Sequence, residues 1–94
     1  MVHHHLLEDK DLVRLYQNGD QLAISELVKR YKSRIFSSIL FLVRKREVAE
    51  DLFQETFIKV LNAVQTYRPE FKFSSWVFKI ANNAAIDFLR KREL

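Results

Sequence analysis

An all-α fold is predicted: a compact bundle of three principal helices preceded by a short N-terminal one. Three observations carry that prediction. The 94 residues include one Gly and one Pro, which leaves almost no material for hairpin turns. Apolar side chains recur at three-and-four spacing through long segments. Hydrophobic residues make up 48% of the chain, and one domain of this size buries roughly 60–65% of its unfolded surface.

The elements follow in chain order. Residues 1–7 run from Met1 and Val2 straight into His3, His4 and His5, and they read as a tag remnant ahead of one domain over residues 8–94. A histidine metal cluster would need further ligands, and these are the only histidines. Without cysteine there is no thiolate metal site and no dependence on an oxidising compartment. A short helix is expected from Glu8 to Asn18, with Leu12, Leu15 and Tyr16 inward and Gly19 as its C′ residue. Asp20 is placed to cap a second helix running from Gln21 to Val43 or Arg44. Its expected core positions are Ile24, Leu27, Val28, Tyr31, Ile35, Ile39 and Leu42, with Phe36, Leu40 and Val43 as a second apolar edge. Lys29, Arg30, Lys32 and Arg34 cluster in mid-helix, and Arg44, Lys45 and Arg46 end it. A solvated face and a track along a nucleic-acid backbone both fit these cations.

A third helix is expected from about Val48 to Gln65. Ala49, Leu52, Phe53, Thr56, Val60 and Val64 form its core stripe, and Asp51, Gln54, Glu55, Ile58 and Asn62 its opposite face. Ile58 lies almost diametrically across from the core, ringed by Asp51, Gln54, Glu55 and Lys59. Spacing alone permits an ordinary wet face or a protein-binding patch with a polar rim. The last helix is expected to be capped by Ser74 or Ser75, with Val77, Ile80, Ala81, Ala84 and Phe88 inward. Lys79, Asn83, Ile86 and Arg90, with Asn82 beside them, face elsewhere. Upstream, Tyr67-Arg68-Pro69-Glu70-Phe71-Lys72-Phe73 alternates rings with charges in a loop that Pro69 keeps from being helical. Rings for stacking, cations for phosphates and amides for base edges together suit a single-stranded nucleic acid.

Charge divides along the chain. The net is +4, with a pI near 9.6. Residues 47–62 hold Glu47, Glu50, Asp51 and Glu55 against Lys59, a net of −3, whereas residues 68–94 sum to +3. Adjacent segments of opposite sign imply two partners. The longest apolar run, Ile39 to Val43, is far too short to span a bilayer, and no signal peptide is visible, so a cytoplasmic protein without membrane insertion is expected. There is no phosphate-cradling glycine loop and no nucleophile–base pair, so neither catalysis nor a cofactor is expected.

Two motifs then carry a resemblance. Ala49-Glu50-Asp51-Leu52-Phe53-Gln54-Glu55-Thr56-Phe57 and, about twenty residues later, Phe73-Ser74-Ser75-Trp76-Val77-Phe78-Lys79-Ile80-Ala81-Asn82-Asn83-Ala84-Ala85-Ile86-Asp87-Phe88-Leu89-Arg90 resemble region 2 of bacterial RNA polymerase sigma factors. The resemblance is to the extracytoplasmic-function (ECF) group and runs from about Asp9 to Arg92. It implies that Asp51, Gln54, Glu55 and Ile58, with Lys59 and Asn62, dock on the clamp helices of the polymerase β′ subunit. It implies that the loop bearing Arg68, Phe71, Lys72 and Phe73, continuing into Ser74, closes over a base flipped from the promoter minus-ten element. Lys79, Asn82, Asn83 and Arg90 would read and grip the single-stranded non-template DNA. Trp76 matches the first of two adjacent tryptophans that wedge duplex melting in housekeeping members; the second is Val77 here, and a core role for Trp76 fits as well. Nothing corresponds to the helix-turn-helix domain that reads the minus-thirty-five element, so the chain is expected to be the first half of such a factor, a monomer that an anti-sigma factor can bind. The alternatives are a module whose sole partner is a protein such as an anti-sigma factor, and a duplex-reading helix-turn-helix regulator. Against the latter, the connection before the last helix is about seven residues and aromatic, not a tight turn.

Overall fold

The computed structural model describes residues 3–68 and 72–93. A 3-10 turn at His4–Leu6 precedes helix α1 (Asp9–Gln17), α2 (Gln21–Val43) and α3 (Arg46–Ala63); a 3-10 turn at Val64–Thr66 and then α4 (Phe73–Glu93) complete the chain. The expected all-α bundle is what forms. Among the described residues, no helix is long and apolar enough to cross a membrane.

The turn between α1 and α2 follows the local chemistry of its residues. Gly19 has φ 105°, its N–H donates to Tyr16 O (3.0 Å), and the Asp20 N–H donates to Leu15 O (2.9 Å). That pair of bonds is a Schellman closure. Asp20 then caps α2 by accepting the Leu22 N–H at 3.0 Å. A Cβ on Gly19 would meet nothing within 4 Å, so Gly19→Ala tests backbone strain alone. It is expected to lower stability by about 1–2 kcal/mol in urea unfolding, and an unchanged midpoint would refute that.

Helix α2 is the centre of the bundle and packs on all three other helices. Its buried residues are Ala23, Leu27, Tyr31, Ile35, Ile39 and Val43, every fourth position without a break. Four residues advance 40° beyond a full turn at roughly 100° per residue, so this row winds around α2 and meets several neighbours along its length. Ile24, Val28 and Leu42, expected at the core's centre, are half-buried, and Val43, expected on an edge, is inside. The helix stops at Arg44, which is left-handed (φ 65°) and donates its N–H to Leu40 O at 2.8 Å.

Helix α3 begins two residues earlier than expected and buries Ala49, Leu52, Thr56 and Val60. The Thr56 hydroxyl is satisfied by donating to Leu52 O at 2.8 Å. Helix α4 begins at Phe73, so Ser74 and Ser75 lie inside its first turn and neither is the cap. Burying the Phe73 ring is the reason, because it outweighs the roughly 1 kcal/mol that a serine cap supplies. Small residues Ala81, Ala84 and Ala85 line the inner side of α4, which lets it lie close to its neighbours.

Arg30 leaves the group of mid-helix cations by making internal bonds. It donates to Asp9 Oδ1 (2.9 Å), Glu26 Oε2 (3.0 Å) and His4 O (3.1 Å). The Tyr31 hydroxyl donates to the other Asp9 oxygen; burial and that carboxylate push the phenol's pKa up. His4 Nε2 donates to Asp20 Oδ2 at 2.8 Å, so the segment expected to be a tag remnant docks against α2.

Candidate polymerase and nucleic-acid interfaces

Two sets of outward-facing residues lie on the neighbouring helices α3 and α4. On α3, Asp51, Gln54, Glu55, Ile58, Lys59 and Asn62 are all exposed. Ile58 is 57% exposed, and Leu61, which the periodicity did not single out, is 40% exposed beside it. None of the five polar members has an internal hydrogen bond or ion pair among the described residues. The face therefore presents an apolar centre and carboxylates, amides and one ammonium with no internal work to do.

The second face begins at the aromatic junction before α4. Tyr67 and Phe73 are buried, at 7% and 4% exposure. Phe73 packs with ring centroids 5.9 Å from Tyr31, 5.8 Å from Tyr67 and 5.8 Å from Trp76. Phe73, predicted to contact DNA, is corrected here: its ring belongs to the core and offers no stacking platform. Trp76 is half-buried, 4.9 Å from the Tyr67 ring, so it serves the core and still shows an edge. Beside that edge lies an open cavity of about 280 Å³ lined by Ala63, Thr66, Tyr67, Arg68 and Trp76. Ala63 and Thr66 escaped the sequence reading, because only the 3-10 turn after α3 brings them to this spot. Arg68 and Lys72 are exposed and Ser74 is half-buried. Pro69, Glu70 and Phe71, expected in the same loop, lie outside the described residues.

Along α4, Lys79, Asn83 and Arg90 are exposed, and so is Ile86 at 39%. Asn82 differs from them: it is half-buried, and its Oδ1 accepts a hydrogen bond from Ser38 Oγ of α2 at 3.0 Å. Nothing in the sequence marks Ser38, since its partner lies 44 residues away and becomes a neighbour only when α2 and α4 pack. The expected layout is thus half inward and half outward. Two rings of the loop are sealed into the core, while the cations and amides of α4 remain accessible. The exposed cations Arg68, Lys72, Lys79 and Arg90 give this face a positive potential suited to phosphates.

Residues 27–94 match Sigma-70 region 2. The chain belongs to that family. The curated proteins it is similar to include sigma factors of the ECF group, as the two motifs predict. The chain is 34% identical over 83 residues to the ECF RNA polymerase sigma-E factor of Haemophilus influenzae, covering 88% of this chain and 43% of that one. It is 35% identical over 85 residues to the RNA polymerase sigma-H factor of Pseudomonas aeruginosa (90% and 44%) and 32% identical over 84 residues to the ECF sigma factor SigW of Bacillus subtilis (89% and 45%). The chain spans less than half the length of these relatives. Its region 2 fold superposes with a TM-score of 0.82 on an NMR structure of an engineered region 2 of sigmaE in complex with GTAAAA, at 36% identity and covering 93% of this chain and 90% of that one.

Proposed function

We propose that this domain acts in transcription initiation as region 2 of an ECF sigma factor. The outer face of α3 docks on core RNA polymerase at the β′ clamp helices. The Trp76 edge and the outer face of α4 hold the single-stranded non-template minus-ten element. The observation that carries this reading is the pair of exposed faces on neighbouring helices, one acidic with Ile58 at its centre, the other cationic with amides. The likeness to a region 2 solved with GTAAAA supports the second face.

The division of labour follows from energetics. Extruding a base costs a few kcal/mol of unstacking, and each stacked base returns roughly 1–3 kcal/mol. The cavity under Arg68 and Trp76 is where an extruded base would lodge. A single small domain therefore binds an already open strand and relies on polymerase to hold a duplex apart. Catalysis has no part in the proposal. The protein works as a cytoplasmic monomer, and an anti-sigma factor covering the α3 face would block docking.

Gel shift with GTAAAA and scrambled hexamers tests the DNA half. Binding should show a sequence preference, and log K should fall with log salt by roughly 0.7 per phosphate engaged. Asn83→Ala is expected to weaken oligonucleotide binding about 5–10-fold, the loss of one base-edge contact, and to spare polymerase binding. A domain indifferent to sequence and salt would be a protein-only module.

A further inference from the structure

We infer that Gln17 is a positioning residue for the cavity beside Trp76: reaching across from α1, it fixes the 3-10 turn that carries most of that cavity's lining. The inference rests on the DNA-binding reading, in which the cavity lodges an extruded base.

Of the lining residues, Trp76 comes from α4, while Ala63, Thr66, Tyr67 and Arg68 lie in or beside the turn at Val64–Thr66. The fit of a base therefore depends on where that turn sits relative to α4. A lone 3-10 turn has poor hydrogen-bond geometry and little stability of its own. Its local bonds, from the Tyr67 N–H to Val64 O (3.2 Å) and from the Thr66 hydroxyl to Ala63 O (2.8 Å), shape the turn without placing it in the bundle. Burial of Val64 and Tyr67 seats its side chains. Gln17 fixes its main chain. The Gln17 Nε2 donates to Val64 O at 2.8 Å and lies 3.5 Å from Tyr67 O, so one amide group spans both ends of the turn. Main-chain carbonyls only accept, which sets the amide with its nitrogen toward them. Gln17 is half-buried and is not among the residues lining the cavity, so it acts through the turn and not by touching a nucleotide.

The test is fluorescence titration of GTAAAA, and of the same hexamer made abasic at each position in turn, with the parent chain, Gln17→Met and Arg68→Ala. Methionine keeps the length and helix propensity of glutamine but has no N–H, and Val64 O retains the Tyr67 N–H. Arg68, exposed and at the cavity, marks which nucleotide lodges there. For the parent, removing the lodged base should weaken binding about tenfold, the worth of one stacked base. Gln17→Met should weaken binding of the intact hexamer about fivefold, so that the abasic penalty shrinks to about twofold and both proteins bind the abasic strand alike. That change should fall at the position where Arg68→Ala also shrinks the penalty, and at no other. Unchanged binding by Gln17→Met would overturn the inference. So would an equal loss on intact and abasic strands, the mark of a bond that only stabilises the bundle. A parent for which no abasic position costs affinity would overturn the reading of the cavity as a base pocket, and the inference with it.

Discussion

Replacing Ile58 by Glu is expected to reduce affinity for core RNA polymerase by about 30-fold or more, the effect of removing an interface hot spot of roughly 2 kcal/mol. Ile58 is 57% exposed and stands opposite the buried stripe of α3, so the change leaves the core of the bundle intact. Circular dichroism and melting temperature should therefore match the parent. Asp51→Arg should act in the same direction through charge, with a smaller effect that shrinks as salt rises, because Asp51 belongs to the exposed rim. Neither variant should alter hexamer binding, since α4 and the Trp76 cavity are untouched. Measuring both affinities on one preparation decides the matter. If polymerase and oligonucleotide binding fell together in a well-folded variant, the two-face arrangement would be wrong.

Phe73→Ala is expected to cost about 3–5 kcal/mol of stability, the usual range for truncating a buried aromatic residue. With four percent of its surface exposed and three rings around it, Phe73 leaves a cavity that the junction between α3 and α4 cannot readily refill. A drop in melting temperature of at least roughly 12 °C should follow for a domain of this size. The contrast with a ligand-stacking ring is direct. A ring serving only to stack a base would lower hexamer affinity and leave the melting curve in place.

Phe73 also shows where reading the chain alone went astray. Its neighbours alternate rings with charges, and nothing in that alternation separates a ring that points at solvent from one that points at Tyr31, a residue 42 positions earlier. The helical periodicity of α3 was legible because its two faces differ so sharply in polarity, and Asp51, Gln54, Glu55, Ile58 and Asn62 stand outward as that pattern predicts. Asp20 and Gly19 were legible because capping is local chemistry, complete within a few residues. Ser38 and Arg30 were not, since their roles come from partners on other elements: Asn82 for one, Asp9 and the His4 carbonyl for the other. The centre of α2 was blurred for a related reason. A helix gripped on several sides buries a winding row of every fourth residue, and averaging over threes and fours smears it.

The alanines on the inner side of α4 have an effect that reaches the ligand. With methyl groups at positions 81, 84 and 85, the middle of the helix lies close against its supports, and the larger Phe73, Val77, Ile80 and Phe88 on the same helix anchor it along the core. The residues on its other side therefore keep a fixed spacing before any strand arrives. On the proposed reading, an open nucleotide strand laid along them would conform to the protein, and the free energy gained by capturing bases would not be spent on ordering the reader.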